Sequence, residues 1–118
     1  MVNFSLEGKI ALVTGASYGI GFGIASAYAE AGATICFNDI SQEKVDMGLA
    51  SYKEAGIEAH GYVCDVTDEA QVKEMVAKIS EEVGVIDILV NNAGIIMRKP
   101  LLEMRADEFR KVIEVDLN

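Results

Sequence analysis

The chain has 118 residues, enough for one domain with a real buried core. Ten basic residues against nineteen acidic ones leave a net charge of −9, which lacks the clustered cations of a nucleic-acid or anionic-membrane binder. The 51% apolar content has no bilayer-length run, and no basic head precedes an apolar stretch at the start, so the composition predicts a cytoplasmic globular protein without membrane attachment.

Lys9–Val13 is a short apolar run ending in Thr14-Gly15, the pattern of a buried strand. A helix follows over Gly19–Glu30, with Ile24, Ala27, Tyr28 and Ala31 as its apolar stripe and Gly32 as its stop. Ala33–Phe37 forms the second strand and runs into Asn38-Asp39. Ser41 caps a second helix that turns Val45, Leu49 and Tyr52 inward and closes at Gly56. The third strand is Ala59–Cys64, ending at Asp65. Thr67 caps the third helix, whose first turn carries Asp68 and Glu69 against the helix dipole. Val72, Met75, Val76, Ile79 and Val83 line its inner face, and Gly84 ends it. Val85–Val90 is the fourth strand, broken by Asn91-Asn92-Ala93-Gly94. After a loop with Pro100, a fourth helix is expected near Ala106, with Phe109, Val112 and Ile113 inward.

This β-α-β-α-β-α-β-α order implies an α/β fold: a Rossmann-type, doubly wound parallel sheet with strand order 3-2-1-4. In that order the fourth strand is apolar on both faces yet would be a sheet edge, guarded only by Asp87, so a fifth parallel strand from beyond Asn118 is expected beside it. Cys36 and Cys64 sit in strand-like runs and read as buried thiols of a reducing compartment. No residues have metal-ligand spacing, so no metal is expected, and His60 is given no role.

The chemistry gathers at the carboxyl ends of the strands. In Thr14-Gly15-Ala16-Ser17-Tyr18-Gly19-Ile20-Gly21 the glycines permit a tight turn, close approach of a phosphate and close helix–strand packing. Free N–H groups at the helix start then hold a pyrophosphate, which is how an acidic protein binds an anionic dinucleotide. Asp39, 24 positions after Gly15, is placed to accept hydrogen bonds from ribose hydroxyls. Its charge opposes a 2′-phosphate, and Ser17, Tyr18 and Ile40 offer no compensating cation, so NAD is expected as cofactor ahead of NADP.

TGASYGIG has the TGxxxGxG spacing, and with Asn91-Asn92-Ala93-Gly94 after the fourth strand the whole chain resembles the short-chain dehydrogenase/reductase family. The resemblance implies cofactor contacts at Gly15, Ser17, Tyr18, Gly19, Ile20, Gly21, Asp39, Ile40, Asp65, Val66, Asn91, Asn92, Ala93 and Gly94, with Asp65 and Val66 at the adenine. It implies a hydride transfer between the nicotinamide and a hydroxyl or ketone of a small polar substrate. The loop from Gly94 to Met104, with Val115-Asp116-Leu117, resembles the sugar-acid branch of the family, which suggests gluconate-like substrates and places Arg98 at a substrate carboxylate. Asp116 falls where family members carry a relay Asn; it can hold a water but donates no amide hydrogen bond.

The family's catalytic Tyr-x-x-x-Lys is absent: Tyr18, Tyr28, Tyr52 and Tyr62 are followed four places on by Phe22, Gly32, Gly56 and Val66. The resemblance therefore implies that the chain is the NAD-binding half of a single-domain enzyme of about 250 residues per subunit, homotetrameric as a whole, and the missing pair leaves this half inactive by itself. Three other readings compete: a carrier-linked 3-ketoacyl reductase of the same family, a non-catalytic nucleotide-binding module, and an S-adenosylmethionine methyltransferase, which the NNAG run and glycine spacing disfavour.

Overall fold

The computed structural model describes residues 5–92 and 108–116. In chain order its elements are β1 (Ile10–Thr14), α1 (Gly19–Glu30), β2 (Thr34–Asp39), α2 (Gln42–Glu54), β3 (Ala59–Val63), α3 (Glu69–Glu82), β4 (Ile86–Asn91) and β5 (Phe109–Asp116). Every strand pairing is parallel, in the order β3-β2-β1-β4-β5, so the expected 3-2-1-4 sheet is present. Ala11 lies opposite Ile35 on one side and Ile88 on the other, which puts β1 at the centre.

β1 and β4 are buried throughout because helices cover both faces of the sheet. Successive side chains alternate between those faces. Ala11, Val13, Ile35, Phe37, Ile88 and Val90 share one core with Ala25, Val45 and Tyr52 of α1 and α2. Ile10, Leu12, Cys36, Ile86 and Leu89 meet Val72, Met75, Val76 and Ile79 of α3 in the other, together with Cys64. Both thiols are free and buried.

Several local expectations change. The buried residues of α1 are Gly21 and Ala25, while Ala27 is exposed, because the helix approaches the sheet through its smallest side chains. The cap of α3 is Asp68, which accepts from the N–H groups of Ala70 and Gln71. Thr67 lies one residue before that cap, and its amide and hydroxyl both donate to Asp65.

The larger correction concerns the end of the chain. Phe109–Asp116 is not the expected fourth helix but β5, parallel to β4, with Ile113 opposite Ile88 and Asp116 opposite Asn91. An apolar strand buried on both faces leaves a costly open backbone edge, and a segment bearing Val112, Ile113 and Val115 is suited to close it. β4 is therefore internal, and its neighbour is this segment and not the strand expected beyond Asn118. Nor does Asp87 guard an edge: it is buried, and its Oδ2 accepts the Ile10 N–H at 2.9 Å. Among the described residues no helix is long and apolar enough to cross a membrane, and no group of His, Cys, Asp or Glu is placed to hold a metal.

Candidate nucleotide-binding site

The carboxyl ends of β1, β2, β3 and β4 converge with the start of α1, as ligand sites do in open parallel sheets. Gly15 and Gly19 adopt φ of 61° and 67°, the left-handed region a glycine enters without penalty, and so turn the chain from β1 into α1. A Cβ on Gly21 would lie 2.5 Å from Asn92 Nδ2 and 2.9 Å from the Gly15 carbonyl oxygen, so the turn closes only around a bare Cα.

Donors remain at this turn. Tyr18, in the N-cap position of α1, provides no side-chain cap, and the first turn has no acidic residue. Among the described residues, the backbone N–H groups of Ser17 to Gly21 donate no hydrogen bond. The Ser17 hydroxyl is buried without a partner, as is Asn91 Nδ2. Orphaned buried polar atoms are rare in native folds and ask for a ligand. Tyr18 and Ile20 after β1 and Ile40 after β2 stand 57%, 74% and 65% exposed, apolar side chains at the same end of the sheet.

The turn is tied to its neighbours by side chains whose importance was not visible in the sequence. Asn38 Oδ1 accepts the Gly15 N–H at 3.2 Å, and its Nδ2 donates to the Cys64 carbonyl at 2.9 Å. Thr14 Oγ1 accepts the Asn92 N–H at 3.0 Å and contacts Asn91 Oδ1 at 3.2 Å, while Asn92 Nδ2 donates to the Gly15 carbonyl at 3.1 Å. The Asn91-Asn92 pair thus braces the glycine turn from β4. A buried Thr or Asn beside a motif is the only sequence signal for such roles.

Asp39 is buried at the end of β2, its Oδ1 accepting the Ile40 N–H at 3.0 Å. Its Oδ2 takes no hydrogen bond among the described residues. Asp65 is exposed, and its Oδ1 is engaged by the Thr67 hydroxyl at 2.6 Å and the Thr67 N–H at 2.9 Å. Those two bonds, the hydroxyl first, hold its carboxyl below the usual range. Burial, and then the Glu82 carboxylate, push the Cys36 thiol up to about 12, so it is no nucleophile near neutrality.

Ser17, Tyr18, Gly19, Ile20 and Gly21 are therefore assembled with Asp39, Ile40, Asn91 and Asn92 at one end of the sheet, and Asp65 and Val66 follow β3 at the same end. Ala93, Gly94 and Arg98 lie outside the described residues. Asp116 stands on β5 opposite Asn91, not on a helix. The residues present fit a dinucleotide: unpartnered backbone donors for a pyrophosphate, an acceptor for ribose hydroxyls and exposed apolar side chains for a base.

Comparison with known proteins agrees with this geometry. Residues 9–118 match the family model for short chain dehydrogenase, and the chain belongs to that family. It is 50% identical to the 2-dehydro-3-deoxy-D-gluconate 5-dehydrogenase of Formosa agariphila, over 97% of this chain and 44% of the relative. It is 41% identical to the 3-oxoacyl-(acyl-carrier-protein) reductase of Thermotoga maritima, over 95% of this chain and 46% of the relative. The crystal structure of 2-keto-3-deoxy-D-gluconate dehydrogenase from Streptococcus agalactiae superposes with a TM-score of 0.76 at 73% identity, over 92% of this chain and 41% of that one. The chain thus spans less than half the length of these relatives.

Proposed function

We propose that this chain is the cofactor-binding half of an NAD-dependent oxidoreductase whose substrate is a hydroxy or keto sugar acid. The observation that carries the reading is the uncapped start of α1, where five successive N–H groups and the buried Ser17 hydroxyl have no partner among the described residues, beside the carboxylate of Asp39. When bound, the nicotinamide supplies a hydride acceptor or donor. The protein's part is to hold the pyrophosphate at Ser17–Gly21, the adenosine ribose at Asp39, and the adenine beside Ile40, Asp65 and Val66.

Asp39 sets the preference for NAD. A 2′-phosphate ~4 Å from a carboxylate at an effective dielectric near 20 is repelled by about 4 kcal/mol, a thousandfold in affinity before salt screening. We further propose that Ala93 and Gly94 continue the cofactor contacts, that Arg98 meets a substrate carboxylate and that Asp116 stands at the relay position. The whole enzyme is then a cytoplasmic homotetramer of about 250 residues whose acid/base Tyr and Lys lie outside this chain. A sugar acid, ahead of a carrier-linked acyl group, accords with the relatives at 50% and 73% identity.

The test is titration of the full-length gene product with NADH and NADPH, followed by turnover assays with gluconate, 2-keto-3-deoxygluconate and an acetoacetyl thioester. Tighter NADH binding with oxidation of a sugar acid is expected. NADPH preference together with thioester reduction overturns the reading in favour of the acyl reductase. Residues 1–118 alone should produce no NADH from either sugar acid and should not reduce the thioester.

A further inference from the structure

The phosphate turn is held from a side that its motif does not include. Tyr52, fully buried on α2, donates its hydroxyl hydrogen bond to the Ala16 carbonyl at 2.6 Å, across 36 residues of sequence. Its ring is clamped between Phe22 of α1 and Phe37 of β2, at centroid distances of 4.6 and 4.9 Å. One helical turn earlier on the same face stands Gly48. A Cβ there would lie 2.9 Å from the Ser17 Cα and 2.8 Å from Phe37 Cε2. Thus α2 packs its backbone directly against the turn and reaches past it with one phenol.

We propose that Tyr52 and Gly48 make α2 a positioning element for the cofactor's phosphates. A trans peptide is planar, with its C=O and the following N–H pointing in opposite directions. Holding the Ala16 carbonyl toward Tyr52 therefore turns the Ser17 N–H away from α2. That amide is the first of the run of N–H groups left without partners. Tyr52 needs no contact with the ligand; it fixes a peptide plane that does. Gly48 supplies the clearance that lets α2 sit close enough for the phenol to reach. Burial pushes the Tyr52 phenol above its ordinary range, so it stays a donor around neutral pH.

This inference rests on the dinucleotide reading, and the test separates the two. Affinities of ADP and of adenosine are measured for the full-length protein and for Tyr52→Phe, which keeps the ring between Phe22 and Phe37 and removes only the donor. ADP binding should weaken about five- to tenfold, as the loss of one ordered hydrogen bond implies, while adenosine binding stays within twofold. In turnover assays KM for NAD should rise with kcat little changed. Equal ADP affinity in the variant overturns the positioning role. So does a parallel loss for ADP and adenosine, which marks general loosening of the fold. A native protein that binds ADP no better than adenosine overturns the dinucleotide reading itself. Should Tyr52→Phe fail to fold, Gly48→Ala carries the same comparison, with the same phosphate-selective loss expected.

Discussion

The proposed preference for NAD rests on one carboxylate, that of Asp39. Its Oδ1 is committed to the Ile40 N–H, so Asp39→Asn can keep that bond while removing the charge. The ratio of NADP to NAD affinity should then rise by at least about tenfold, a part of the unscreened repulsion; paired titrations of the two cofactors check it, and an unchanged ratio refutes the assignment. Cys36 gives a second expectation. Its folded-state value of about 12 lies above the ordinary 9.0, so the folded state favours the neutral thiol. That contribution is complete below pH 9 and is lost as pH rises from 9 towards 12. The melting temperature should fall over that window, and Cys36→Val, which removes the titrating group from a strand position that suits Val, should flatten the decline in a pH series of melts. Asp39 and the glycines were legible in the sequence because backbone and charge carry their chemistry. Asn38, Thr14 and Tyr52 were not: their partners lie 23, 78 and 36 residues away, and nothing local marks an Asn, Thr or Tyr as the one that reaches.

Among elements, α2 and α3 show how capping decides boundaries. Ser41 was legible as a cap and accepts the Lys44 N–H at 3.2 Å. Thr67 was the expected cap of α3, but the position belongs to Asp68, which accepts the Ala70 N–H, while Thr67 donates to Asp65. Asp68→Ala should cost about 1 kcal/mol in urea unfolding, the usual worth of such a cap, with no change in nucleotide affinity; Thr67→Ala should cost less. β5 was illegible for a different reason. Phe109, Val112 and Ile113 have helical i, i+3, i+4 spacing, while Ile113 and Val115 also alternate as in a strand. A short segment with both patterns is decided by what it can cover, and here that is the free side of β4.

At the scale of the molecule, the sheet order follows from the alternation of elements and the rule of right-handed crossovers, so it was readable from 118 letters. The identity of the outermost strand was not. If β5 shields β4, then Ile113→Pro, which puts a proline into the strand paired with β4 at the position opposite Ile88, should speed amide exchange at Leu89 and Val90 by at least about tenfold. It should also raise self-association of the 118-residue chain in light scattering, as an uncovered edge recruits another copy. Unchanged exchange at both amides is the contrary result.

The same topology bears on how the molecule comes into being. The central strand is translated first, yet its partner on one side, β4, is translated last among the strands that brace the phosphate turn. Thr14 and Gly15 wait for the side chain and amide of Asn92 before their mutual bonds can close. A nascent chain on the ribosome therefore carries the whole glycine motif through about seventy further residues of synthesis without its brace from Asn92. Loop closure across that separation is entropically costly, so under the proposed function nucleotide capture would come at the end of folding. Bound nucleotide would then act as a latch on the assembled domain, stabilising it by mass action and not by guiding its assembly.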